Sequence, residues 1–243
     1  MGRIYGVNLH LNSIFLELYS KIMGATTDKQ TLPPSKASKA GKLGRTRMKL
    51  IAAIRAEIKE SGDFNANQVA RRSKSSPANF YNHFATKDAA THAAYDQMMS
   101  ELAASVSDQC RIESLLDSSM QVFVADWVLQ LGGFFAENSS LFRLAQAGMG
   151  QSKGLRDLFR THEQAIIETY QRFIERGQAA GQVRTGDQTA MAQMLVVFTE
   201  SWHHRLVQKL KPGDPLHEQL TQAFIRILSP DKPLSPDKTK SRD

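Results

Sequence analysis

The chain has 243 residues, 41% of them hydrophobic, enough for one large core or two modest domains. No run approaches the ~20 apolar residues of a membrane span, and a single cysteine, Cys110, excludes an internal disulfide framework. The net charge of +7 is uneven: residues 1–75 carry 14 Lys or Arg against 5 Asp or Glu, leaving 17 against 19 for the rest, so the front of the chain favours a polyanionic partner.

Residues 1–22 place Ile14, Phe15, Leu18 and Ile22 at helical spacing but have only Arg3 as an early charge, a poor secretory signal. They read either as a short amphipathic helix or, since Met23 follows, as a stretch ahead of the natural start. Residues 24–44 are rich in Lys, Ser, Thr, Gly and Pro, so 1–44 is expected to be a flexible basic extension. With reduced Cys110 read as a small core hydrophobe, a cytoplasmic location is expected, with no membrane partner.

From Arg47, Leu50, Ile51, Ile54 and Ile58 predict a helix that stops at Ser61-Gly62. Asn65 with Gln68 forms a variant capping box for a short helix to about Arg72. Ser76 caps a third helix with Pro77 at its first position, and Thr86 caps a longer one through Leu102. No segment alternates like a half-buried strand, and the tight link between two short helices predicts a helix-turn-helix in an all-α chain. On the third helix Phe80 and Phe84, four apart, face the core, while Pro77, Ala78, Asn79 and Asn82 present the face that would read bases in a major groove. Asn79 is the leading reader, because an asparagine amide can pair with the N6 and N7 edge of adenine, and Asn67 is a further candidate. Arg45 and Arg47 are expected to neutralise phosphates.

Residues 45–95 resemble the N-terminal domain of the TetR family of bacterial transcriptional regulators. The resemblance is carried by Arg47, Leu50, Ile51, Ala53 and Gly62, by Val69 and Ala70, and by Ser76, Phe80, Tyr81, His83, Phe84, Lys87 and Asp88. It implies phosphate contacts from Ser76, Tyr81, His83 and Lys87, and a homodimer on a palindromic double-stranded operator. Where the family has Ala-Gly-Val-Ser, this chain has Ser73-Lys74-Ser75-Ser76. A left-handed Lys74 would cost roughly 1 kcal/mol. Ala78 stands at the family's glycine position and Asn79 where threonine is common, departures that point to an unusual operator.

The remainder, 93–228, is expected to be a helical ligand-binding and dimerisation domain behind a 45–92 DNA-binding domain, with 229–243 a disordered tail repeating Ser-Pro-Asp-Lys. The stretch 134–148 is similar to a family segment in which a long helix ends at Glu-Asn and a short one follows. Long amphipathic helices are predicted over 154–180 and 188–210. The family pairs such helices across the dimer, which implies an interface of Phe159, Ile166, Phe173, Met194, Phe198 and Leu206, although their spacing suits a protomer core equally. Met120, Phe123, Trp127, Phe134, Phe142 and Trp202, with His162 and Glu200 as polar anchors, would suit a pocket for a small, mostly apolar effector. Glu200-Ser-Trp-His203 is half of a di-iron motif, but no second copy, phosphate loop or cysteine pair accompanies it. No catalytic residue, metal or cofactor is therefore expected. A transcriptional activator, or an architectural DNA-binding protein without a ligand, is the alternative on the same fold.

Overall fold

In the computed structural model of this chain, the described residues are 34–204, 206–207, 210–211 and 213–230, without the side chains of residues 34–42 and 203. They form nine α-helices and one 3-10 turn, with no strand among them. From Thr46 on, the described residues make one compact unit, separate from those before it. The expectations for residues 1–33, and for the tail from residue 231, lie outside the described residues.

Helix α1, Pro34–Ser61, starts thirteen residues before Arg47, so residues 34–44 are helical rather than part of a flexible arm. Pro34 suits a first turn, and the alanines and lysines that follow are strong helix formers. The helix stops where expected: Gly62 takes φ +79°, which an L side chain would resist, and its N–H closes on the Ile58 carbonyl at 2.9 Å. Its inner face buries Leu50, Ile51, Ile54 and Ile58.

Helices α2 (Ala66–Arg72), α3 (Pro77–His83) and α4 (Lys87–Gln109) begin at the expected caps. The Asn65 side chain accepts from Gln68 N at 3.0 Å while Gln68 Oε1 accepts from Asn65 N at 2.9 Å. Ser76 and Thr86 each accept from the third residue of their helix, at 3.1 and 3.0 Å. Helix α4 runs without a break through residues 92–93, and burial of Cys110 at its end pushes that thiol's pKa up.

After α5 (Ile112–Leu116), helix α6 spans Met120–Met149 as one piece, correcting the expected stop at Glu137-Asn138. Asn138 does not cap a new helix: its amide donates to the Phe134 carbonyl at 2.9 Å, one turn back, and the chain continues. Helix α7 (Lys153–Ala179) matches its prediction, but α8 (Gln188–Glu200) is ten residues shorter than predicted. Residues Ser201–His203 tighten into the 3-10 turn as Ser201 Oγ bonds the Phe198 carbonyl at 2.6 Å and Trp202 swings into the core. The approach is close: a Cβ on Gly132 would lie 3.2 Å from Trp202 Nε1. Helix α9 (Pro215–Leu228) closes the unit, burying His217, Thr221, Phe224 and Leu228 at three and four spacing. Arg184 accounts for its C-terminal carbonyls, donating to Leu228 from its backbone and to Ile227 from its side chain, both at 2.8 Å. Helix α8 packs along α7, α7 against α4, and α9 against α6.

Candidate nucleic-acid interface and effector cavity

The link between α2 and α3 shows how the chain dispenses with a glycine. Lys74 takes φ +53°, the one positive-φ non-glycine among the described residues. Ser75 N donates to the Ala70 carbonyl at 2.8 Å and Lys74 N to Arg71 at 3.3 Å, the paired closure of a Schellman turn with lysine in the usual glycine place. Phe80 and Phe84 are both buried, their ring centroids 5.5 Å apart, and Phe64 meets Phe80 edge-on at 6.5 Å. Arg72 ties α2 back to α1 through Glu57, at 2.6 Å, and Glu60. A seven-residue helix too short to persist in water is thereby held by packing.

What α3 exposes is the predicted reading face. Pro77, Ala78 and Asn82 are exposed, as is Asn67 on α2. Asn79 is half-buried, and its Nδ2 donates to Ser75 Oγ at 2.7 Å, leaving one amide N–H and the amide oxygen for another partner. Around this face Tyr81 is 58% exposed, His83 half-buried and Ser76 exposed. Arg47 stacks 4.6 Å over the Phe84 ring and donates to the His83 carbonyl at 3.3 Å, so it buttresses the end of α3. Lys87 is also engaged, at 2.6 Å from Asp63, and its ammonium holds the Asp63 carboxyl below the usual carboxylate range. Arg45 is exposed on α1. Arg71 and Lys74, both exposed beside the turn, were not singled out as DNA contacts, although the run Arg-Arg-Ser-Lys was the available signal.

No family model matches the chain, and no curated protein matches it in sequence. Solved structures do. A regulator of Mesorhizobium loti assigned to the TetR family aligns over 77% of this chain and 98% of its own, at 15% identity and a TM-score of 0.64. A TetR transcription regulator of Haloarcula marismortui covers 76% and 96% at 16% identity and 0.61, and a TetR-family regulator from Rhodococcus covers 76% and 100% at 20% and 0.56. The fold is that of the TetR family.

Within this TetR fold, the aromatics proposed for an effector pocket are mostly spent on the core. Trp127 meets Tyr170 and Phe224 edge-on at 5.4 and 5.3 Å, and Phe123 stacks on Phe173 at 5.4 Å. Trp202 is fully buried against Phe224. Met120 is half-buried on the core, and Phe134 sits in a surface cleft with Arg55 and Asn138. His162 is 2.8 Å from Asp96 on α4. Only Phe142 and Glu200 of that set line an apolar cavity, which has a volume of about 40 Å³ before its open mouth is counted. Four helices build it: Met99 and Leu102 from α4, Phe135 with Phe142 from α6, Phe159, Glu163 and Ile166 from α7, and Val196, Thr199 and Glu200 from α8. Burial, and the neighbouring charge of Glu163, raise the pKa of Glu200.

The same geometry sorts the residues that the resemblance assigned to a dimer face. Phe173 and Ile166 are buried within one chain, Phe159 walls the cavity, and Phe198 is half-buried 5.7 Å from Phe224. Met194 and Leu206 are exposed, joined by Val197, at 66% the most exposed large apolar residue among the described ones. Val197 lies one turn from Met194 on α8 but carried no spacing signal that separates interface from core.

Proposed function

We propose that this protein is a sequence-specific DNA-binding regulator, a repressor that acts as a homodimer on a palindromic operator and is released by a small effector. The observation that carries this reading is the capped α3, which turns Pro77, Ala78, Asn79 and Asn82 outward beside the exposed cations Arg71 and Lys74. Residues 45–92 read DNA in the cytoplasm, Asn79 through its free amide edge and Asn82 beside it. Ser76, Tyr81, His83, Arg71 and Lys74 hold phosphates, and Lys87 does so on release from Asp63. The exposed Met194, Val197 and Leu206 give the two-fold mate an apolar contact. Such a dimer matches two half-sites, and an effector that favours a different half-site spacing lowers affinity by population shift.

A ligand-independent architectural or activating role on the same fold draws support from one observation: most of the aromatics are packed into the core, and the apolar cavity between α4, α6, α7 and α8 is small. Sequencing DNA fragments retained by the purified protein at moderate salt tests both. A palindromic consensus is expected for the regulator, and retention of bent or AT-rich DNA with no consensus would favour the architectural role. Failure to retain DNA at all would sink both.

A further inference from the structure

We infer that the cavity between α4, α6, α7 and α8 takes an amphipathic organic cation, its ammonium held between Glu163 and Glu200 and its apolar body among Met99, Leu102, Phe142 and Phe159. The inference rests on the effector reading of this cavity and names the chemistry of what enters it.

The lining is almost wholly apolar apart from Thr199 and the two glutamates. The Thr199 hydroxyl is already committed, donating to the Leu195 carbonyl at 2.7 Å with Tyr170 Oη 3.4 Å away. That leaves Glu163 and Glu200, from two different helices, and neither has an ion-pair or hydrogen-bond partner among the described residues. Three other acids that face a neighbouring helix are matched: Glu101 by Arg55 at 2.6 Å, Glu57 by Arg72 at 2.6 Å and Asp96 by His162 at 2.8 Å. Glu163 is half-buried and Glu200 exposed at the mouth; two like charges at the rim of an apolar space repel each other, a cost that a single cation between them removes. Tyr95, whose phenol is kept neutral by burial and further by Glu200, lies behind Phe142 at 6.2 Å edge-on, so the wall near the carboxylates is aromatic and suits a cation.

Other ligand classes fit less well. A hard divalent ion such as Ca2+ or Mg2+ wants six or more oxygen donors, a softer one such as Zn2+ four ligands, and no group of three or more His, Cys, Asp or Glu side chains that could hold a metal exists among the described residues. An anion would meet two carboxylates, and a neutral apolar molecule would desolvate them with no compensation. The enclosed volume is about 40 Å³, and with the open mouth the empty space reaches about 370 Å³. A ring of benzene size therefore enters only if Met99 and Phe159 turn aside. Met99 has three rotatable bonds and Phe159 is only half-buried. Such an entrant wedges α7 and α8 from α4, the helix that begins at the DNA-reading segment.

The test uses the full-length protein with three probes of nearly equal shape, 2-phenylethylamine, 2-phenylethanol and 3-phenylpropanoate, followed by calorimetry and by the fluorescence of Trp127 and Trp202. The amine is expected to bind at least about tenfold more tightly than the alcohol, with the acid weakest, and Glu163→Gln/Glu200→Gln is expected to erase the preference. Equal binding of amine and alcohol would overturn the cation, and no binding of any probe up to ~10 mM would overturn the site. If the double variant fails to fold, the single Glu163→Gln and the ranking of probes on the unchanged protein decide. DNA retention is measured on the same preparation without probe: its loss refutes the regulator reading and leaves the binding result to stand by itself.

Discussion

Replacing Lys74 by glycine separates what that residue does for the fold from what it does for DNA. Lys74 sits at φ +53° in the closure of α2, a conformation costing a side-chain-bearing residue about 1 kcal/mol. Glycine removes that cost but loses about 0.7 kcal/mol through the greater freedom of the unfolded chain. The net is a gain of about 0.3 kcal/mol, or about 1 °C in Tm for a unit of this size. The two backbone bonds of the turn, Ser75 to Ala70 and Lys74 to Arg71, need no side chain and persist. The same change removes an exposed cation next to α3, so log K for DNA should fall less steeply with log salt, by about 0.9 per subunit. Urea unfolding and a salt series of DNA titrations read the two effects. A less stable Lys74→Gly protein would refute the strain argument, and an unchanged salt slope would remove Lys74 from the DNA contacts.

Asn79→Ala should relax preference at one base pair per half-site, by about 1–3 kcal/mol in selection experiments, whereas equal weakening on all sequences would assign Asn79 to the backbone. Gly177→Ala is expected to destabilise by about 1–3 kcal/mol in thermal unfolding, because its Cβ would lie 3.0 Å from the Cβ of Val183 with a methyl closer still. Glu200→Gln should stabilise the protein at pH 7. A carboxyl whose folded pKa is raised contributes stability that is full below its unfolded value of about 4.5 and lost as pH rises through the folded pKa. The difference from the unchanged protein should therefore vanish near pH 4, and a pH-independent gap would point to packing instead. A double-mutant cycle on Arg55 and Glu101, paired at 2.6 and 2.8 Å, should give a coupling of about 1 kcal/mol at their partial exposure.

The helix-turn-helix part was legible because its signals are local. Asn65, Ser76 and Thr86 cap within three residues of themselves, and the Phe80–Phe84 spacing assigns two faces to one short helix whatever it packs against. Even the strained Lys74 was expected, because the family resemblance puts a glycine in that turn where this chain has lysine. The other half depends on encounters distant in sequence. Nothing near Trp202 announces that Gly132, seventy residues earlier, leaves a notch for its indole and so ends α8 early. Asn138 resembled a helix stop because an asparagine can cap, yet the same amide can bond one turn back, and the packing of α6 decides. An aromatic that will line a cavity and one that will fill a core look identical as letters, so Trp127 and Phe123 were assigned to the wrong surroundings. Glu163 needed the converse, a neighbour from another helix to give its charge a meaning.

The unbroken run of α4 through residues 92 and 93 bears on how the molecule can be taken apart. A fragment ended at residue 92, where sequence divides the chain, would cut the helix in its second turn and discard Tyr95, Met98 and Met99, all buried. It would also discard Glu101 and Asn138, leaving the Arg55 guanidinium without either partner. A fragment ended at Gln109 retains the whole of α4 and the Arg55–Glu101 pair, but it bares the face on which α6 and α7 lie. The part proposed to read DNA and the part proposed to respond thus share one rod, and neither can be isolated without taking surface from the other.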